Sequence, residues 1–507
     1  MKALFKAHHP LHSLTHRARP ASLTGHPQIP KPSPAHPPPT MAGPRHSPFT
    51  NVDPSTEADL RRKGLDPQEV DRSTEQLLTY ICTELVPALP ASDGVILNDA
   101  HLRPKGSVFP PTPADSPAIV AAVSTILEAH TGPIPHVRLT SSHTGAYQAQ
   151  LARWLQLLAT RGVQELVLVN RPWPLDVPLP AALFGIASLA CLYIGLWKFP
   201  DVAGSPRSAS FPRLRELGLC SVVVEDGDID FVVAQSPVLE TLNIHGSSKG
   251  LRLGLVSQSL RCVQICGSVL EDIAVVEAPR LERLILEGFR SNAGGLCTRV
   301  TIGDAPKLQA LGMLEPGNTI LEIGDTIGMA SLGSMATSVK FLSLNVRFGN
   351  HSNAKMVPSL LACFPNLEAL HIMSEKGDYE AGSARLNLNF WKLVKPTENI
   401  KSCIKVFSYK EFRGELGEVA FLKFFFRNAR VLSTASVSMA NPSFTSFSMD
   451  EATHKAQEAS KKMASSYCEV VLLGSTGPEG GKPWSFKTGT DYSFEDPFSV
   501  VHIRHNA

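Results

Sequence analysis

Three stretches between residues 71 and 162 place apolar residues at the three- and four-residue spacing of an amphipathic helix. In "DRSTEQLLTYICTEL" Leu77, Leu78, Ile81 and Leu85 share one face, and Pro87 ends the pattern. In "DSPAIVAAVSTILEAH" Ser116 is the expected cap, Pro117 takes the first helical position, and Ile119, Val120, Val123, Ile126 and Leu127 form the stripe. "GAYQAQLARWLQLLATRG" repeats the scheme with Tyr147, Leu151, Trp154, Leu155 and Leu158, and Gly162 closes it. These helices are expected to cover the N-terminal end of the region beyond Gly162.

In that region the rhythm becomes L-x-x-L-x-L. Its first apolar position falls at Val163, Leu189, Leu214, Leu239, Leu260, Leu281, Leu308, Val339 and Leu367, at intervals of 26, 25, 25, 21, 21, 27, 31 and 28 residues. That spacing lies in or just beyond the period of leucine-rich repeats, roughly 20–29 residues. The last two apolar residues of each motif alternate along a short strand and point inward, while the first reaches the same core from the preceding turn. Each rung then buries three or four large aliphatic side chains, about 5–10 kcal/mol gross at about 1.5–3 kcal/mol each, before backbone ordering removes most of it. A rung is therefore unstable alone and stable in a stack whose ends are covered. The pattern predicts an α/β leucine-rich-repeat solenoid, a horseshoe with parallel strands on its concave face and an irregular convex side. Helices are expected in "DIDFVVAQ", with Asp228 as cap, and in "MVPSLLACF"; "GSVLEDIAVVEA" reads as strand or loop.

Composition changes this picture little. With 43% hydrophobic and 19% charged residues and a formal charge of +2, nothing global points to nucleic acid or an anionic membrane. Nine cysteines spread over 507 residues do not resemble a secreted disulfide framework and suit a reduced compartment, cytoplasm or nucleus. Cys262 and Cys266, the one close pair, lack the partners of a zinc site and read as small strand residues. The first fifty residues are dense in proline and histidine, with no acidic residue before Asp53, so a disordered tail is expected over 1–70. A transit peptide or an over-long start ahead of Met41 are alternatives there, and His8, His9, His12 and His16 suggest no dedicated metal site. Val177 to Trp197 has no charge over 21 residues, long enough for a membrane span, yet Pro178, Pro180, Gly185 and Gly195 interrupt it and Leu189, Leu192 and Ile194 keep the repeat beat.

With "SPVLETLNI", "APRLERLIL", "APKLQAL" and "FPNLEALHI" recurring, the region from about Pro135 to Met373 resembles the repeats of plant F-box/FBD/LRR proteins. "SCIKVFSYKEFRGELGEVAFLKFFFRNARVLSTASV", Ser402 to Val437, is similar to the FBD module of that family. It is expected to hold a strand, an E-F-R-G turn, a helix with Val419, Leu422 and Phe426 on one face, and a last strand. The expected organisation is tail 1–70, helical region 71–134, repeats 135–384, FBD-like module 385–445 and an extension 446–507 with a helix near Asp450 to Met463 and the strand "CEVVLLG". The resemblance implies the substrate-recognition part of an SCF-type ubiquitin ligase, in which an F-box docks on a Skp1-type adaptor and the repeats hold a target. In this sequence "LVPALPASDG" runs straight into Val95 where the F-box belongs, so no adaptor-contacting residue carries over.

Chemistry-bearing motifs are scarce. "VVLLGSTGPEGGKPW" ends in Lys482, but Thr476 and Pro483 stand where a phosphate loop needs Gly and Ser or Thr. No G-x-S-x-G or H-E-x-x-H occurs, so neither an enzyme nor a cofactor is expected. The candidate surface is the set of strand positions alternating with the buried ones: Glu216, Thr241, Asn243, His245, Gln264, Arg283, Glu287, Ser343, Asn345 and His371, with Ile285 and Met373 adding apolar area. These read as solvent-facing, so Arg283→Ala is expected to be nearly neutral beside a costly Leu284→Ala. The expected function is protein–protein interaction through the repeats, the target being unknown. The alternatives are a membrane-anchored repeat receptor, or an F-box-less competitor or decaying paralogue.

Overall fold

The computed structural model describes residues 58, 61–62, 66–68, 76–77, 79–86, 95–103, 115–170, 177–201, 210–247, 249–288, 297–324, 335–376, 389–444, 446–474, 477 and 484–499. The histidine-rich start, the alternative start at Met41 and the lysine of the glycine loop lie outside them.

Repeats begin with a turn. In Phe211-Pro212-Arg213-Leu214, Ser236-Pro237-Val238-Leu239, Ala278-Pro279-Arg280-Leu281, Ala305-Pro306-Lys307-Leu308 and Phe364-Pro365-Asn366-Leu367, the amide of the leucine donates to the carbonyl three residues earlier, at 3.0–3.3 Å. Proline at the second position presets the backbone angle such a turn needs. The leucine is thereby aimed into the core, and the strand starts two residues later. In chain order the strands are β1 (Ile96–Asn98), β2 (His136–Leu139), β3 (Glu165–Val169), β4 (Cys191–Gly195), β5 (Glu216–Cys220), β6 (Thr241–His245), β7 (Leu251–Val256), β8 (Cys262–Ser268) and β9 (Leu270–Glu277). They continue with β10 (Arg283–Gly288), β11 (Thr298–Asp304), β12 (Ala310–Leu314), β13 (Thr319–Ile323), β14 (Phe341–Val346), β15 (Ala369–Ser374), β16 (Val406–Phe412), β17 (Thr434–Met439) and β18 (Glu469–Leu473).

Among the described residues, fourteen of these form one sheet in the order β1-β2-β3-β4-β5-β6-β8-β10-β12-β14-β15-β16-β17-β18, and every pairing is parallel. The core leucines stay in register: Leu217, Leu242, Val263, Leu284 and Leu311 are successive partners, as are Leu342, Leu370 and Phe407, with local shifts at Glu287/Gly288, Leu311/Leu314 and Tyr409/Phe412. The nine motifs supply β3 to β15 of this sheet. Two rungs precede them and three come after, so the FBD segment continues the repeat sheet.

A second sheet, β13-β11-β9-β7, closes the convex side of the middle rungs. Elsewhere that side carries α1 (Ser116–Ala129), α2 (Gln148–Thr160), α3 (Asp228–Ala234), α4 (His351–Ala362), α5 (Leu416–Asn428) and α6 (Met449–Ser460). Two expected caps have other partners: the Ser116 hydroxyl accepts from the His143 amide at 3.0 Å, and the Asp228 carboxylate from the Glu225 amide at 2.8 Å. The uncharged stretch 177–197 folds as a rung, with a short helix Ala181–Gly185 leading into β4. Among the described residues no helix is long and apolar enough to cross a membrane.

Charges on the rim help set the register. From Arg215 to Glu282 the residue after the motif's first apolar position alternates in sign, as it does again from Lys340 through Glu368 to Lys405; Arg215 pairs with Glu240, Arg261 with Glu282 at 2.7 Å, Lys340 with Glu368 at 3.4 Å, and Lys405 with Glu368 at 2.9 Å. Each exposed pair contributes little, about 0–1 kcal/mol. Like charges stacked there would oppose the same register.

The E-F-R-G turn is an internal clamp. Glu411 and Gly414 have φ of 60° and 74°. Arg413 is buried, donating to the carbonyls of Ser374 and Glu411 at 3.1 and 2.8 Å and to the Glu411 carboxylate at 3.1 Å. Glu418 at the start of α5 accepts from the Ser374 hydroxyl at 2.6 Å and from the amides of Arg413 and Glu415 at 3.0 and 2.9 Å. Burial pushes its carboxyl up to about 7 against those hydrogen bonds. The motif therefore ties β15 to β16 and α5.

Candidate recognition surface on the concave face

All ten residues singled out from the sequence lie on the strands of the main sheet, at positions alternating with the core leucines. Parallel register brings several together. Asn243 stands beside Gln264, His245 beside Cys266, and Ser343 beside His371. Their expected exposure is not found. Thr241, Asn243, His245, Gln264, Arg283, Ser343 and His371 are buried, Glu216, Glu287 and Asn345 half-buried, and Ile285 is buried as well. Alternation specifies which face of the sheet a side chain takes, but not whether that face meets water.

Two pieces of the same chain cover it. Helical residues 76–77 and 79–80 and the wide π-type turn Ile81–Leu85 lay Leu77, Ile81 and Leu85 against Val167, Val169, Tyr193 and Cys220. They cap the concave side of the first rungs, whereas the sequence placed them over the end of the stack. Gly218 leaves room for the ring of Tyr193, which a β-carbon there would meet at 2.3 Å.

The second cover is residues 484–499, "WSFKTGTDYSFEDPFS", which return from beyond β18 and fill the middle of the groove. Arg283, 4% exposed, is the main anchor. Its guanidinium donates to the carbonyls of Gly489 at 2.8 Å, Asp491 at 3.0 Å and Phe494, and lies 4.4 Å from the centre of the Tyr492 ring. Arg261 stands over the same ring at 4.0 Å, so the Tyr492 ring meets two cations. Gln264 donates to Asn243 Oδ1 at 2.9 Å and to the Phe486 carbonyl at 3.0 Å, and accepts from Trp484 Nε1 at 2.7 Å. His371 Nε2 lies 2.8 Å from Asp496 Oδ2. Burial pushes the Asp496 carboxyl up, but His371, the Phe498 amide and Lys410 outweigh it and hold it below its ordinary value. Phe498 reaches the sheet at Gly312, where a β-carbon would stand 2.3 Å from its ring, and joins Ile285, Ala310, Phe341 and Ala369 in an apolar cluster. The rings of Trp484 and Phe498 are 5.8 Å apart, so the segment closes on itself as a compact loop. The two covers also meet, as Tyr80 donates to the Trp484 carbonyl at 3.1 Å and Lys487 to the Thr83 carbonyl.

Electrostatics within the groove are governed by burial. Glu287 is pushed up to about 7, first by burial and then by the charges of Glu375 and Glu315. Burial raises Glu216 as well, with Glu165 adding to it and the Tyr193 hydroxyl opposing. Burial pushes the Cys262 thiol up to about 12 and the Cys266 thiol well above its ordinary value, so neither is a reactive thiolate. Among the described residues no three metal-ligating side chains converge. Sequence reasoning passed over Arg261, Ala310, Gly312, Phe341, Ala369 and the loop 484–499. One signal was present, since a lone glycine inside the strand pattern "LQALGML" marks a close approach.

An all-parallel sheet of stacked L-x-x-L-x-L rungs defines a leucine-rich-repeat solenoid protein. Residues 151–372 match the family model described as the LRR repeats of FBD-associated F-box protein At5g56370, and residues 395–437 match the FBD domain. FBD-associated F-box protein At5g60610 of Arabidopsis thaliana is 25% identical over 285 residues, covering 52% of this chain and 71% of the relative. The chain thus carries leucine-rich repeats similar to those of FBD-associated F-box proteins, followed by an FBD domain.

Proposed function

We propose that this chain holds a protein target on its repeats in a ubiquitin-ligase setting, and that it performs no catalytic step itself. The observation that carries the reading is the concave groove. There Asn243, Gln264, Arg283 and His371 form a row of hydrogen-bonding groups on rigid strands beside apolar Ile285 and Phe341, an arrangement suited to recognising a polypeptide. The family's name supports the ubiquitin-ligase setting. Leu77, Ile81 and Leu85 are turned into the groove, which leaves this helix without an apolar stripe for a Skp1-type adaptor. On this reading the chain acts as a competitor, holding targets without delivering them through that helix. Its place of action is the cytoplasm or nucleus, in keeping with nine cysteines of which none is joined in a disulfide.

The test is proximity labelling of the full chain in cells, with gel filtration after co-expression with a Skp1-type adaptor. The expected result is a reproducible set of labelled protein neighbours and no stoichiometric adaptor complex. A stable one-to-one adaptor complex would refute the competitor reading. Labelling no richer than that of an unrelated solenoid of equal size would refute target holding.

A further inference from the structure

The loop 484–499 differs from the rest of the interior. The main core is apolar, but the loop is also held by polar side chains of the groove donating to its backbone carbonyls at Phe486, Gly489, Asp491 and Phe494. Such carbonyls exist in any polypeptide. The groove's donors, Gln264 and Arg283, are satisfied equally by another chain or by water, so opening the groove strands no buried charge. Side-chain recognition is concentrated in a few slots: Trp484 at Gln264, Phe486 beside His245, the Tyr492 ring against two guanidinium groups, Asp496 at His371, and Phe498 over Gly312. The loop is one layer thick. Lys487, Thr488, Asp491, Ser493, Phe494 and Glu495 all face out. It is also acidic, carrying Asp491, Glu495 and Asp496 against Lys487, where the groove presents Arg261, Arg283 and Lys410.

We infer that residues 484–499 are an internal ligand of the concave groove, and that the target is a protein segment of like chemistry which competes with them. That segment is acidic, with an aromatic residue opening one short helical turn, as Phe486–Thr490 forms here, a second aromatic about six residues on, then a carboxylate and a third aromatic. The inference rests on the reading that the groove holds a target. It adds what the groove recognises, and it makes release of the loop the step that precedes binding.

The experiment uses the full chain in three forms: native, Tyr492→Ala/Phe498→Ala, which removes loop anchors and leaves the groove untouched, and Gly312→Val, which fills the slot beneath Phe498. A fluorescent peptide of residues 484–499 is titrated into each and followed by anisotropy, with a scrambled peptide as control. Unchanged urea midpoints establish that the variants are folded. The expected result is at least tenfold tighter peptide binding by Tyr492→Ala/Phe498→Ala than by the native chain. Gly312→Val, whose loop is expelled but whose slot is blocked, binds the peptide more weakly than the double variant. Equal affinity of native and double-variant chains, or equal binding of the scrambled peptide, overturns the inference. Proximity labelling with the double variant separates this from the broader reading. Peptide binding without any gain in labelled neighbours sinks target holding and leaves the internal ligand standing. A gain in neighbours that the peptide does not compete away sinks the internal ligand.

Discussion

Leu284→Ala and Arg283→Ala are adjacent substitutions on β10 with different expected outcomes. Leu284 is fully buried between its partners Val263 and Leu311. Truncating it leaves a cavity in a core that cannot collapse without moving two neighbouring rungs, at about 2–5 kcal/mol of global stability. Arg283 is almost as buried, but what covers it is the loop 484–499. A hydrogen bond to a charged group contributes about 1.5–3 kcal/mol, and losing several from one anchor is not additive. The loop can lift, giving its carbonyls to water, so the loss falls on loop closure and global stability changes by less than about 1 kcal/mol. A closure loss of about 2–3 kcal/mol corresponds to roughly 30- to 150-fold faster amide exchange within 484–499. Hydrogen exchange measured by mass spectrometry reads the loop and the strands β6, β8 and β10 separately, while urea unfolding reads the whole. If Arg283→Ala lowers the urea midpoint as far as Leu284→Ala, the loop is integral to the fold and the reasoning fails. It fails equally if loop exchange is unchanged.

Three further expectations concern buried carboxylates and the E-F-R-G turn. Glu418 and Glu287 have carboxyls raised to about 7 by burial, against 4.5 ordinarily, so the folded chain binds protons that the unfolded chain has released. Their contribution to stability is full below about pH 4.5 and is lost as pH rises through 7; urea midpoints should fall between pH 5 and 7.5, and Glu418→Gln with Glu287→Gln should flatten that slope. Gly414 combines a φ of 74° with an absent β-carbon that would stand 3.0 Å from Ala452 Cα. Gly414→Ala should therefore cost about 1–3 kcal/mol, visible as a lower melting temperature, and a neutral result would remove the clamp role of the turn. Asp99 accepts from the amides of Thr140 and Ser141 and from the Ser142 hydroxyl, at 2.9–3.1 Å. Asp99→Ala leaves those donors unsatisfied in a buried site, and an unfolding loss of about 1–3 kcal/mol in calorimetry checks it.

Local periodicity determined a great deal about this protein. The motif's three-then-two spacing located the rungs β3 to β15 and identified which side chains meet in the core, because both arise from the two-residue alternation of a strand and from a proline-started turn. The E-F-R-G…N-A-R-V-L run marked the FBD segment by resemblance, though its continuation of the repeat sheet through β16 and β17 is a matter of register between distant strands. Tertiary structure alone decided the fate of the concave face. Arg283 meets Gly489 from 206 residues away, and Gln264 meets Phe486 from 222. A strand's own pattern reports which side a residue takes. Whether that side ends against water or against a returning stretch of the same chain depends on where the far end of the polypeptide comes to rest, and no local spacing encodes that distance.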